Sequence, residues 1–179
     1  FTVATQNMFR LFEGATNFAD RLKKFSMQIR DILGAPDILA VQEVENITTL
    51  QALATKIQTD DPGIIYTAYL EEGNDIGGID IGFLVLNTVQ VNTVTQLAAG
   101  ELFTYNSTTS PLHERPPLAL DVDFPGGLNV TVLNVHPKSL GSIQNPEVQQ
   151  RRHEQATSIS IMVQNLQTAN PNLIVTGDF

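Results

Sequence analysis

The sequence predicts a mixed α/β domain in which two sheets pack together with helices outside. The first observation is the order of apolar patterns: strand, helix, strand, helix, then several consecutive strands between about residues 64 and 135, then a long helix and a closing strand. That order fits neither a doubly wound parallel sheet nor an all-β sandwich. The second is size, since 179 residues with 42% hydrophobic and 16% charged content supply one globular core but not two ordinary ones. The third is the absence of an internal repeat or low-complexity linker, so residues 1–179 are read as one domain.

The opening FTVATQNM alternates Val3, Thr5 and Asn7 on one face with Ala4, Gln6 and Met8 on the other, a strand expected to end near Asn7. Phe18, Leu22, Phe25, Ile29 and Ile32 with Leu33 recur at helical spacing, with Asn17 as expected cap and Gly34 and Pro36 as stop. DILAVQEV is a short apolar run turning polar at Gln42 and Glu43, as a buried strand does when it runs into a site. Ile47, Leu50, Leu53, Ala54 and Ile57 form a second helix capped by Asn46 and closed before DDPG. Strands follow at IIYTAYL, IGFLVL, VQVNTVTQL, LALDVDF and LNVTVLNVH, with PGG at 125–127 as a hairpin connection. Asn145 and Pro146 open a helix to about Thr168, and PNLIVTGD returns to a strand. In that helix Arg152 falls on the row Val148, Ala156, Ile159, Val163, Leu166, which predicts a guanidinium facing the sheet in a structural pairing.

The formal charge of −9, from 19 acidic and 10 basic residues, argues against a non-specific nucleic-acid coat. It leaves room for an enzyme that holds phosphate through a divalent cation. The absence of cysteine removes disulfides, thiolate metal sites and thiol catalysis. No stretch approaches the roughly 18 consecutive apolar residues of a membrane span. Low lysine with abundant Thr, Asn and Gln is a compositional hint of a secreted bacterial protein. The chain starts at Phe1, already in a strand-like pattern, so the compartment stays open, and nothing identifies a protein partner.

Polar residues stand where apolar strands end: Asn7, Glu43, the pair Asn134 and His136, and Asp178. Strand ends are where α/β sheets bind ligands. Each also has an ordinary explanation: a turn for Asn7 and Asp178, a solvated strand end for Glu43, a satisfied half-buried imidazole for His136, a backbone-bonded amide for Asn134. Magnesium takes hard oxygen ligands, so a carboxylate and an amide suffice when phosphate completes the shell. A polarised phosphoryl oxygen needs a nearby donor such as imidazole or arginine.

Six stretches in this order, ATQN, ILAVQEVEN, GGIDIGFLV, RPPLALDV, LNVHPKSL and NLIVTGDF, resemble the endonuclease/exonuclease/phosphatase superfamily, to which deoxyribonuclease I belongs. The resemblance implies a deoxyribonuclease I-like four-layer α/β/β/α sandwich and cleavage of a phosphate ester with Mg²⁺, or with Mn²⁺ or Ca²⁺. Carried over position by position, it makes Glu43 the main metal carboxylate and Asn7 its neighbour on the ion. His136 is then the hydrogen-bond donor or general acid beside the scissile phosphate, and Asp178 orients or deprotonates the attacking water. Arg115 and Asn134 become substrate contacts, against the alternatives of an exposed loop arginine and a sheet-face amide. Lys138 adds charge to the phosphate pocket or is simply solvated.

Where relatives carry Arg before GID, this chain has Gly77 and Gly78. The family's asparagine two positions after Asp178, a later aspartate and a terminal Asp-His pair fall outside the 179 residues. The expectation is therefore a sandwich incomplete at its C-terminus, inactive and prone to associate by itself. The expected parent activity is that of a nuclease or other phosphodiesterase on nucleic acid. The alternatives are cleavage of lipid-headgroup or inositol phosphates, and a catalytically silent binding module.

Overall fold

The computed structural model describes residues 1–179. In chain order the elements are β1 (Val3–Leu11), α1 (Phe18–Met27) continued by a π-helical turn (Gln28–Ile32), β2 (Ile38–Val44), α2 (Ile47–Asp60), β3 (Tyr66–Leu70) and β4 (Asp80–Leu86). They continue as β5 (Gln90–Gln96), β6 (Leu102–Tyr105), β7 (Thr108–Pro111), β8 (Leu118–Phe124), β9 (Leu128–Val135), α3 (Pro146–Ala169) and β10 (Leu173–Gly177). One sheet has the order β1-β2-β4-β3 and the other β10-β9-β8-β5, while β6 and β7 form a separate hairpin. Each large sheet contains one parallel pair, β1 with β2 and β10 with β9, followed by two antiparallel pairings.

Period-2 alternation sorts the side chains into layers. In β2, Leu39 and Val41 join Leu84 of β4 against Ile29, Leu50, Leu53 and Ile57 of the helices. Ile38 and Ala40 point the other way, meeting Phe83 and Val85 of β4 and Leu120, Val122 and Val132 of the second sheet. A strand buried on both faces has no polar side, which is why ILAV reads as an unbroken apolar run. Beyond the second sheet, Ile159, Val163 and Leu166 of α3 pack on Leu133 and Val135. Helices, sheet, sheet and helix thus succeed one another, as the sequence predicted.

Four local expectations need correction. β1 does not end near Asn7 but continues to Leu11, slipping register between those residues while Phe9 and Arg10 take left-handed φ of 49° and 58°. Asn17 makes no side-chain cap bond, and the π turn rotates Ile32 off the buried face into solvent. The hairpin β6–β7 was not anticipated: its strands are only four residues long, and its signal is the two-residue turn Asn106-Ser107, with φ of 46° and 66°. Finally, the buried arginine of α3 is Arg151, not Arg152. The buried row runs Val148, Arg151, Gln155, Ser158, Met162 and is mostly polar, so apolar periodicity picked the row beside it.

Arg151 pins the hairpin to α3. Its Nη1 donates to the Pro111 carbonyl (2.7 Å) and its Nη2 to Ser110 Oγ (2.8 Å), with the guanidinium 4.4 Å from the Phe103 ring centroid.

Candidate active site

The parallel pair of each sheet delivers residues to one place. In the first sheet Asn7 stands opposite Gln42, and Glu43 follows. By alternation Glu43 would join Leu39 and Val41 among the helices. A bulge between Gln42 and Val44 prevents this: Val44 takes the apolar position, and Glu43, at a φ of 60°, is released towards the strand end. A left-handed conformation at such a residue is strained and is held by its surroundings.

In the second sheet Gly177 pairs with Val135, His136 follows β9 and Asp178 follows β10. Gly177 has a φ of 143°, and a Cβ there would lie 1.9 Å from the Val135 carbonyl oxygen, so only glycine fits. That close approach sets Asp178, whose N–H donates to the same carbonyl at 3.1 Å.

Asn7 joins the two halves. Its Nδ2 donates to Glu43 Oε1 (3.1 Å) and to Asp178 Oδ2 (2.7 Å), while its Oδ1 accepts the Phe9 N–H (2.6 Å). His136 Nε2 lies 3.9 Å from Glu43 Oε1 and 3.7 Å from Asp178 Oδ2. One ligand atom from each of Glu43, His136 and Asp178 falls within 4.8 Å of the others. The two carboxylates offer the oxygen donors that a hard divalent cation takes, with the imidazole beside them. As placed, Asn7 presents its NH₂ to the carboxylates, so binding an ion through its oxygen would require the amide to turn over and give up Phe9.

His136 is buried and its Nδ1 has no partner. Burial pushes its pKa below the usual imidazole range, and the Arg115 charge adds to this, against the opposing carboxylates of Asp178 and Glu43. The neutral ring is thereby favoured. A cleft of about 240 Å³ opens on the site, lined by Glu43, His136, Asp178, Lys138, Ser139 and Arg152 among others.

Arg115 and Asn134 lie behind this cleft rather than in it. Arg115 is buried, with Nε donating to the His136 carbonyl (3.2 Å), Nη2 to the Pro137 carbonyl (2.9 Å) and Nη1 to the Asp75 carboxylate. It holds the backbone that carries His136. Asn134 is wholly buried between the sheets, with Nδ2 donating to the carbonyls of Val41 and Gly82 (both 3.0 Å) and Oδ1 accepting from Gln42 Nε2 (2.8 Å). The backbone-bonded alternative therefore describes it. Lys138 is not simply solvated: its Nζ binds both Glu114 carboxylate oxygens at 2.8 and 3.0 Å. Arg152, half-buried, donates to the Lys138 carbonyl and lines the cleft, which apolar spacing could not reveal.

No family model and no curated protein matches the sequence. Solved structures do. Truncated TDP2 of Caenorhabditis elegans is 21% identical with a TM-score of 0.64, covering 99% of this chain and 61% of that one. An endonuclease/exonuclease/phosphatase family protein from Bacteroides thetaiotaomicron is 15% identical with a TM-score of 0.61, covering 99% and 62%. The chain has the endonuclease/exonuclease/phosphatase fold. ANGEL2, described as a 2′,3′-cyclic phosphatase, shares that fold at 13% identity and a TM-score of 0.65, covering 99% of this chain and 52% of its own. The chain spans between 46% and 61% of the TDP2 chains it matches. Within the endonuclease/exonuclease/phosphatase fold, Asn7, Glu43, His136 and Asp178 stand together at one end of both sheets.

Proposed function

We propose that the protein is a divalent-metal-dependent phosphoesterase, with Mg²⁺ or Mn²⁺ as the ion and a nucleic-acid phosphodiester as the substrate. The observation that carries this reading is the convergence of Glu43, His136 and Asp178 at the joined ends of two sheets. The structural neighbours include a protein described as a cyclic phosphatase, which supports phosphate-ester chemistry as a class.

Glu43, with Asp178 beside it, would hold the cation, which when bound supplies electrostatic stabilisation for charge developing on phosphoryl oxygens. Asn7 fixes the two carboxylates relative to each other. His136, buried beside them, donates a hydrogen bond from Nε2 to a phosphate oxygen or hands a proton to the leaving group. Its lowered pKa suits the hydrogen-bonding role, in which the neutral ring carries its proton on Nε2. Asp178 is the more exposed carboxylate and can reach an incoming water. Arg115 and Asn134 act through position alone.

The test is turnover by the full-length parent on plasmid DNA, RNA, sphingomyelin and inositol phosphates with Mg²⁺ or Mn²⁺, against Glu43→Gln as control, together with Mn²⁺ binding. Metal-dependent cleavage of DNA or RNA is the expected result. Turnover confined to the lipid or inositol substrates corrects the substrate. Neither turnover nor Mn²⁺ binding overturns the class.

A further inference from the structure

The layer between the two large sheets changes character just below the site. Alternation turns Val3, Ala40, Phe83, Val132 and Ile174 into that layer, all of them apolar. The next inward-facing positions on β1, β2, β9 and β10 are Thr5, Gln42, Asn134 and Thr176, all of them polar. Two residues further along come Asn7, His136 and Asp178, with Glu43 released beside them by its bulge.

Gln42 and Asn134 meet across the gap. Gln42 is 1% exposed and Asn134 fully buried. Gln42 Nε2 donates to Asn134 Oδ1 at 2.8 Å and to Thr5 Oγ1 at 3.0 Å, while Asn134 Nδ2 donates back into the first sheet, to the carbonyls of Val41 and Gly82. Every side-chain hydrogen bond that passes from a strand of one large sheet to a strand of the other involves Asn134.

Stability alone does not account for these residues, because two amides bonded to each other in a core contribute little more than apolar side chains of the same shape. What they add is direction. Apolar contact is non-directional and lets one sheet slide on the other, whereas a hydrogen bond holds both distance and angle. A divalent ion needs that precision: Mg²⁺ takes oxygens at about 2.0–2.1 Å in a near-octahedral array. Here the two carboxylates that would face it come from different sheets.

We propose that Gln42 and Asn134 form an inter-sheet pin that sets the spacing of Glu43 from His136 and Asp178. Both are positioning residues and touch neither ion nor substrate. The pin serves the cation site of the phosphoesterase reading, and so rests on that reading for its purpose. Gln42 fixes the residue next to the Glu43 bulge, and Asn134, paired in register with Thr176, fixes the strand ends that carry His136 and Asp178.

The experiment is Mn²⁺ titration of the full-length parent by electron paramagnetic resonance, with thermal melting of each variant. Asn134→Leu should weaken Mn²⁺ binding by about tenfold, the loss typical when a group behind a metal ligand is removed. It should also melt lower, because it strands Gln42 Nε2 against leucine. Gln42→Met, in which Asn134 keeps its two carbonyls, should weaken Mn²⁺ binding with a smaller loss of stability. The double variant Gln42→Met with Asn134→Leu leaves no stranded amide, so it should melt above Asn134→Leu while binding Mn²⁺ no better. Ser26→Ala removes a buried bond to Asp60 (2.7 Å) at the far end of α2 and should bind Mn²⁺ as the wild type does. A metal-free crystal structure of Gln42→Met should show the Asn7–Asp178 contact, 2.7 Å in the wild type, lengthened. If Asn134→Leu fails to fold, Gln42→Met and the double variant carry the test. Mn²⁺ affinity that returns with stability in the double variant, or a Gln42→Met structure with Glu43, His136 and Asp178 unmoved, overturns the pin. A wild type that binds no Mn²⁺ fails the phosphoesterase reading alone, and the crystal comparison then decides the pin.

Discussion

The two sheets share one plan and reach the site by opposite means. Each ends in a parallel pair whose strand ends supply two of the four site residues: β1 and β2 give Asn7 and Glu43, and β9 and β10 give His136 and Asp178. The first sheet re-aims its residues by strain, with left-handed Phe9, Arg10 and Glu43 and two register slips. The second uses permissive backbone, with Gly177 taking the left-handed position, and keeps its register between β9 and β10. Both are braced by an arginine that grips carbonyls just past a strand segment, Arg21 at Met8 to Arg10 and Arg115 at His136 and Pro137. The lesson is that a site side chain is placed by backbone geometry first, and that an arginine on carbonyls can hold that geometry whichever way it arises, whether half-buried as Arg21 or buried as Arg115.

The largest expected effect of breaking this arrangement is at the second brace. Arg115→Met leaves the Asp75 carboxylate and two carbonyls without their buried partner, and should cost about 3–5 kcal/mol in chemical denaturation, the range for breaking a buried pair. Gly177→Ala comes next, at about 1–3 kcal/mol, because the Cβ meets the Val135 carbonyl and β10 must shift. It should also displace Asp178, read as altered NMR shifts at His136.

Two buried groups, one on the first sheet and one in the connection between β7 and β8, should respond to pH in opposite senses. Asp80, on β4 of the first sheet, has its carboxyl pushed up to about 7, first by burial and then by the neighbouring acids Glu72 and Asp75, against the Gly73 N–H that it accepts. The folded state binds this proton more tightly than the unfolded state, so the stabilisation is complete below the ordinary value of 3.8 and is lost as pH rises through about 7. His113, which meets Ser158 Oγ of α3 at 3.1 Å, is lowered by burial, partly opposed by Glu101. Its contribution is present above the ordinary 6.5 and is lost as pH falls through the lowered value. Asp80→Asn, which can still accept from Gly73, should therefore gain on the wild type as pH is raised, and His113→Gln should gain as it is lowered. Melting temperatures across pH check both signs.

The smallest effect concerns the strain itself. Glu43→Asn places a residue that tolerates left-handed φ at the bulge and removes a carboxylate facing Asp178. It should stabilise by about 0.5–1 kcal/mol while weakening metal binding, the exchange expected of a strained site.

Much of this was legible in the sequence, because burial writes itself as periodicity. ILAV is apolar on both faces because layers cover both faces, and PGG and Asn145-Pro146 mark a turn and a helix start by backbone chemistry. Asn7, Glu43, His136 and Asp178 could be grouped in advance, with Asn134, because each stands at a strand end, while the roles expected of them came from the family resemblance. What escaped was whatever polar contacts bury. The α3 row around Arg151 is mostly polar and is tied to the hairpin by hydrogen bonds to Ser110 and Pro111, so no apolar stripe announces it. Arg115 and Asn134 share types and positions with substrate contacts, and only their committed hydrogen bonds reveal positioning roles. The strained Phe9-Arg10 turn contains no glycine, so nothing in its residue types gives it away.

The central claim is that one cation site is assembled from both sheets, and Mn²⁺ titration followed by electron paramagnetic resonance tests it most directly. The account predicts a single site in the wild type, weakened about tenfold or more in Glu43→Gln from the first sheet and also weakened in Asp178→Asn from the second, since each removes a hard charged donor. His136→Ala should lose far less affinity, because the role proposed for it is on phosphate and not on the ion. Equal Mn²⁺ binding by wild type and both carboxylate variants would contradict it.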